Sequence, residues 1–317
     1  MKTQQHTSLN RRQFCLSALA ATGAALAPRP AQSEAARSTY RYNDIHTHLG
    51  QPWGNRPELT PEGLLKWMDA NEIGKACVLP LVNPEAWDHP ISTDYVLLKT
   101  EPYRDRLIPF CAIDPRVINL SGQKAKVDQL KRYQDAGAKG FGESKPGVKM
   151  DDPRNLELFA ACAEVGFPVL FHLDNSRNTD QAGLPGLEKV HQALPEGRFI
   201  GHAQGWWASI DGAVTQDQLQ KYPEGTVAEG GALDRLMAKY PNLYGDLSAG
   251  SGANAIMRDL DFGREFLIRN QDRLLFGTDY LAPGQNVPQL SLYREIDLPE
   301  SVQAKIYRDN HIKLLGL

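Results

Sequence analysis

The chain has 317 residues, 41% of them hydrophobic and 23% charged, with a formal net charge of −3. That suffices for one large core or two modest ones, and the lack of long single-sign runs and low-complexity tracts excludes a disordered chain. No basic stripe stands out, which argues against nucleic acid as a partner.

Residues 1–33 read as an export signal rather than as part of the fold. They hold Lys2, Arg11, Arg12 and Arg29 but no acidic residue, and an apolar small-residue stretch runs from Phe14 to Leu26. A basic start, a short apolar middle and small residues after it make a secretory signal, too short for a transmembrane span. The pair Arg11-Arg12, followed by Gln13 and Phe14, fits a twin-arginine signal, which predicts a periplasmic or secreted protein. Losing this segment takes 35 basic residues to 31 against 38 acidic, a net charge of −7, which favours solubility over stable membrane association. Of the four cysteines, Cys77, Cys111 and Cys162 remain, in apolar contexts and without paired spacing. They predict small core residues and no disulfide framework.

From Tyr42 onward one phrase repeats: an apolar or β-branched run, a polar loop, then helical periodicity. Strands are predicted at Tyr42–His48, Lys75–Val82, Leu107–Ile113, Ala138–Glu143, Pro168–Leu173, Arg198–Ala203, Asn242–Leu247 and Arg273–Asp279. Thr60 before Pro61 and Asp152 before Pro153 place a capping side chain ahead of a proline at the first helical position. Helices are expected over Ala125–Ala136, stopped by Gly137, and over Asn155–Val165, stopped by Gly166. Strands alternating with helices imply parallel pairing through right-handed crossovers, and eight units predict a single-domain α/β protein, a (β/α)₈ TIM barrel over residues 34–317. The runner-up, an open doubly wound sheet, lacks its glycine-rich phosphate turn. Long connections at Leu49–Leu59 and Gln204–Ala228 leave from C-terminal strand ends, the face where barrel active sites are built.

The histidines and acids collect at those ends. His46 and His48 lie two apart in a strand, so they face the same way and can reach one ion, and imidazole nitrogen suits Zn²⁺ and related metals. His172 and His202 fall at the ends of strands 5 and 6; Glu143, Asp246 and Asp279 mark strands 4, 7 and 8. In a barrel these residues converge on one mouth.

DIHTH at 44–48, VLFHLD at 169–174, FIGHAQG at 199–205, LYGDLS at 243–248 and LLFGTDY at 274–280 together make the sequence resemble the amidohydrolase superfamily, in its amidohydrolase-related branch. The resemblance covers nearly the whole mature chain. It implies that His46, His48, His172 and Asp279 hold a divalent metal, Zn²⁺ foremost with Mn²⁺ the alternative. It also implies that Asp279 and His202 are catalytic, shuttling protons, with His202 otherwise a ligand of a second metal ion. Glu143 is expected either to bridge two ions or to leave one ion and touch the substrate. Asp246 is expected to orient a ligand from behind, and Asp44 either to support His46 or to lie outside the barrel.

Substrate contacts are expected from Lys145, Arg177, Trp206 and Trp207, with Trp53, Arg56, Trp87 and Asn175 nearby. Two adjacent tryptophans in a loop seldom both find core positions, so Trp206-Trp207 predicts an aromatic wall. The expected activity is metal-assisted hydrolysis of an amide, lactone or other ester in a small molecule. The alternatives are non-oxidative decarboxylation of an aromatic or unsaturated acid, with Arg177 or Arg56 holding its carboxylate, and non-catalytic binding. Substrate identity and homo-oligomerisation stay open.

Overall fold

Parallel register is what gathers the polar residues at one end. The computed structural model describes residues 40–86 and 88–317. The expected export signal and Trp87 lie outside the described residues. The strands are β1 Tyr42–Thr47, β2 Ile73–Val78, β3 Leu107–Pro109, β4 Phe141–Ser144, β5 Val169–His172, β6 Phe199–His202, β7 Leu243–Asp246 and β8 Leu274–Leu275. Each pairs in parallel with its neighbour in chain order, in one run from β1 to β3 and another from β4 to β8. Hydrogen bonds across both seams close the ring. Cys111 N–H donates to Gly140 O and Gly142 N–H to Cys111 O between β3 and β4. Ile45 N–H donates to Phe276 O, His48 N–H to Tyr280 O and Asp279 N–H to His46 O between β1 and the chain after β8. This is the predicted (β/α)₈ barrel.

The connecting helices are α1 Pro61–Ala70, α2 Thr93–Thr100, α3 Gln123–Asp135, α4 Pro153–Val165, α5 Pro185–Ala193, α6 Gln204–Ala208, α7 Ala232–Lys239, α8 Ala249–Met257, α9 Leu260–Arg269, α10 Pro288–Glu295, α11 Glu300–Ala304 and α12 Asn310–Leu315. Their ends follow the expected chemistry. Thr60 Oγ1 accepts the N–H of Gly63 at 3.1 Å and Asp152 Oδ1 that of Arg154 at 2.9 Å. Gly166 ends α4 at φ 81°, a left-handed position that glycine takes without a Cβ clash. Among the described residues no helix is long and apolar enough to cross a membrane.

Strands 3 and 8 are shorter than predicted. Beyond Leu275 the ladder is interrupted: Phe276 N–H donates to Ile306 O, Thr278 N–H goes to Asp44 Oδ1 at 3.0 Å, and Asp279 turns to φ 56°. The 204–228 connection is also not plain loop, since it holds α6 and a 3₁₀ turn over Gln216–Gln220.

Alternation along the strands divides the core into two shells. Val169 and Phe171 of β5 join the shell under the helices, while Leu170 joins Cys77, Leu79, Ile108, Phe110, Ile200 and Leu275 in the other. Leu314 and Leu315 of α12 pack into that second shell, and Arg198, just before β6, donates to Leu314 O at 2.8 Å. The last helix therefore plugs the barrel under its N-terminal strand ends, leaving the opposite end for polar groups. Cys77, Cys111 and Cys162 are free and buried, as predicted. Replacing Leu314 by Ala should destabilise the fold by about 2–5 kcal/mol, the usual cost of truncating a buried leucine. Denaturant unfolding measures this, and a change under about 0.5 kcal/mol would remove the plug from the account.

Candidate metal centre

β1 carries Asp44, His46 and, one residue past its end, His48. His172 and His202 end β5 and β6 and are direct register partners, and Asp246 ends β7. Glu143 comes from β4 and Asp279 from the turn after β8. All are buried except Asp279, whose side chain is 16% exposed.

Four atoms from four positions converge. His46 Nε2 and His48 Nε2 are 3.1 Å apart. Asp279 Oδ1 lies 3.6 Å from the first and 3.3 Å from the second, and Glu143 Oε2 lies 3.5 Å from each. A tetrahedral zinc site with ligand distances of about 2.0–2.1 Å has ligand–ligand edges of about 3.3–3.4 Å.

The remaining contacts fix which nitrogens carry lone pairs. His46 Nδ1 donates to Asp246 Oδ2 at 2.7 Å, and His48 Nδ1 donates to the Leu79 carbonyl at 2.8 Å. Once His46 gives up the extra proton that the carboxylates favour, both Nε2 atoms present lone pairs towards two carboxylate oxygens. Asp279 Oδ1 is buried without a hydrogen bond. Glu143 Oε2 also makes none, although Lys145 Nζ stands 2.7 Å away as an ion pair. The donor set, its spacing and the orphaned oxygen all fit a divalent cation.

Asp246 is a fork. Its Oδ2 meets His46 Nδ1, His202 Nδ1 at 2.9 Å and the Ser248 hydroxyl at 2.8 Å, and its Oδ1 accepts the Ser248 N–H at 2.9 Å. Burial pushes the Asp246 carboxyl up, but His46 and His202 outweigh it and hold it well below the usual range. Burial and the charge of His46 lower His202, against the pull of Asp246, which keeps His202 neutral. Burial also pulls His46 down, yet Asp246, Asp279 and Glu143 raise it well above the ordinary imidazole value. Asp44 proves to lie inside the barrel. It accepts the His46 N–H at 2.9 Å, the Thr278 N–H and the Thr278 hydroxyl at 2.5 Å, and burial pushes its carboxyl up to about 7.

One sequence expectation changes. Trp206 and Trp207 are both buried, so they are not an exposed wall. α6 starts directly after β6 and folds the indoles inward. Trp206 fills the space above Gly201, where any Cβ would come within 2.3 Å, and Trp207 Nε1 donates to Asp246 O at 2.9 Å. His172 does not join the four converging atoms: its Nδ1 is 2.8 Å from Glu143 Oε1 and its Nε2 3.0 Å from Asp174 Oδ2. Arg177 is near by, its Nη1 donating to Asp174 Oδ2 at 2.7 Å and its Nε to Glu85 O. Asp174 went unread in the sequence, although its spacing from His172 repeats that of His46 from His48.

The amidohydrolase family model matches residues 44–317. The chain belongs to the amidohydrolase family. Members of this family are metal-dependent enzymes, decarboxylases as well as hydrolases. No curated protein matches the chain. Among solved structures, an uncharacterized TIM-barrel protein from Bordetella bronchiseptica aligns with a TM-score of 0.60 at 17% identity, over 86% of this chain and 98% of its own. A probable 2-pyrone-4,6-dicarboxylic acid hydrolase from Acinetobacter baumannii aligns with a TM-score of 0.59 at 13% identity, over 87% and 100%. A dihydroxybenzoic acid decarboxylase from Polaromonas, with bound manganese and 2-nitroresorcinol, aligns with a TM-score of 0.54 at 14% identity, over 87% and 97%. At these identities the likeness establishes the barrel fold.

In this amidohydrolase the Asp246 fork orients two histidines at once. Asp246→Asn should lower the affinity for Zn²⁺ about 10–100-fold, read by competition with a chelator, and an unchanged affinity would remove the fork from the metal centre. The ion must also displace the proton that the carboxylates hold on His46 in the metal-free protein. Because that proton is held above the ordinary value of 6.5, apparent Zn²⁺ affinity should keep rising with pH past 6.5. Titrations from about pH 6 to about pH 8.5 test this, and a plateau beginning near pH 6.5 would contradict it.

Proposed function

We propose that this protein is a metal-dependent hydrolase that cleaves an amide, lactone or other ester at the barrel mouth. The observation that carries the reading is the meeting of His46 Nε2 and His48 Nε2 at 3.1 Å, with Asp279 Oδ1 and Glu143 Oε2 each within 3.6 Å of both. A divalent ion there, Zn²⁺ or Mn²⁺, supplies Lewis acidity and lowers the pKa of water from about 15.7 towards about 7. Asp279 is the group through which solvent reaches the set, and its Oδ1 has no other hydrogen bond. It takes a proton from the attacking water as the new C–O bond forms. It returns that proton to the departing alcohol or amine as the original C–O or C–N bond breaks. His202, neutral and fixed by Asp246 and Ser248, lies beside the set, with its Nε2 3.6 Å from Glu143 Oε1. It supports the same proton transfer at the carbonyl.

The mouth's cations favour hydrolysis. A decarboxylase must grip the substrate's carboxylate, but Lys145 is paired with Glu143, and Arg177 is spread over Asp174 and a carbonyl. Hydrolysis needs no such grip. One feature supports the second reading, decarboxylation: the Arg177 side chain is 29% exposed, so it can still meet a ligand.

Purified protein loaded with Zn²⁺ or Mn²⁺ should hydrolyse members of a lactone and amide panel and release no carbon dioxide from hydroxybenzoates. Asp279→Asn should reduce kcat about 10²–10⁴-fold. Carbon dioxide release without hydrolysis would put decarboxylation first.

A further inference from the structure

The long connection after β6 is tied down at both ends. On one side it meets the loop after β5: Gln216 Nε2 donates to Asn175 Oδ1 at 3.1 Å, Asn175 Nδ2 to Gln216 O at 3.1 Å, and Gln220 Nε2 to Ser176 Oγ at 3.0 Å. On the other, Val227 N–H donates to Asp259 Oδ2 at 3.0 Å and Ala228 N–H to Asp211 Oδ1 at 3.2 Å, and Asp211 is ion-paired with Arg258. Leu219 and Pro223 are buried, whereas Tyr222 between them is 48% exposed. Every other aromatic side chain among the described residues is more deeply covered.

The phenol end of Tyr222 lies at the mouth. A Cβ on Gly250, in the first turn of α8, would stand 3.4 Å from the Tyr222 hydroxyl, so the missing side chain there leaves the phenol its place. Burial of that end raises the phenol above its ordinary value. Hydrogen bonding from the Gln204 side chain, two residues past His202, opposes this, and the charge of Asp279 adds to it. The hydroxyl is therefore protonated and lies among residues that follow β6, β7 and β8. Gln204 Oε1 is buried and finds no hydrogen-bond partner among the described residues. A segment restrained at both ends does not expose an aromatic ring through looseness, and uncovered aromatic area beside a reacting centre marks a binding surface.

We propose that Tyr222 is a substrate-binding residue: its ring walls the mouth beside Asp279 and stacks on a flat, unsaturated ring of the substrate. The inference rests on the hydrolytic reading above and narrows its substrates to those in which the cleaved bond adjoins such a ring. The wall comes from an inserted segment, the part of a barrel in which specificity is set without disturbing the strands. It also takes the place of the aromatic wall that Trp206 and Trp207, being buried, do not provide.

The probes are two ketones that cannot be hydrolysed. 2-Tetralone is the carbocyclic counterpart of the aromatic lactone dihydrocoumarin, and cyclohexanone that of δ-valerolactone. Binding to the Zn²⁺-loaded protein is read by NMR titration, without turnover. Tyr222→Ala should weaken 2-tetralone about 3–10-fold and cyclohexanone less than about 2-fold, since an offset aromatic pair is lost only with the first. Tyr222→Phe, which keeps the ring, should bind 2-tetralone as wild type does. Equal losses for both ketones, no loss in Tyr222→Ala, an equal loss in Tyr222→Phe, or wild type that does not bind 2-tetralone would each overturn the proposal. If the ketone pattern holds but neither lactone is turned over, the hydrolytic reading fails and the wall stands, which separates the two failures.

Discussion

His46 Nε2 and His48 Nε2 face each other at 3.1 Å, and each lies within 3.6 Å of a carboxylate oxygen of Glu143 and of Asp279, an arrangement that positive charge among them relieves. In a buried site with little solvent to screen it, repulsion between two carboxylates and two imidazole lone pairs is large. The protein cannot relax it by rotating the side chains. His46 and His48 are held from behind at Nδ1, by Asp246 and by the Leu79 carbonyl, so their Nε2 atoms stay turned inward. Lys145 supplies part of the charge beside Glu143, an ion or a proton can supply more, and the carboxylates accordingly push His46 above its ordinary value in the metal-free chain even though burial opposes it.

The restraints on these residues come from one of the barrel's two loosely paired seams. β8 is two residues long, and its continuation reaches β1 through a single bridge and a few backbone bonds. Asp44 reinforces it by gripping the N–H of His46 on one side and both donors of Thr278 on the other. That grip sets the left-handed turn at Asp279, a conformation aspartate adopts more readily than most side chains. Asp246 does the equivalent for β7, β1 and β6 by collecting two histidines and a serine on one oxygen. Closing the barrel and shaping the centre are thus the work of the same side chains.

Much of this was legible in the sequence. Alternation of strand-like and helix-like runs gave the topology, because eight parallel units have few ways to close. The i, i+2 spacing placed His46 and His48 on one side, and the chain positions of Glu143, His202 and Asp279 put them at the same mouth. Strand ends were less legible. Residues 273–279 read as strand, yet both donors of Thr278 go to Asp44, a partner more than two hundred positions away that no local pattern reports. His172 was placed at the mouth, but its contacts with Glu143 and Asp174 were not legible for the same reason. Whether an imidazole meets an ion or a carboxylate depends on ring orientation, which strand periodicity does not encode.

The tryptophans mark a different limit. Adjacent indoles after a strand end resemble exposed aromatic area only while the following residues count as loop. Once Gln204–Ala208 winds into a helix, successive side chains turn about 100° apart, and both rings can enter the core from different angles. Gly201 makes the slot for one, and the carbonyl of Asp246 anchors the other. The aromatic pair therefore braces the base of β6 and β7 under the centre.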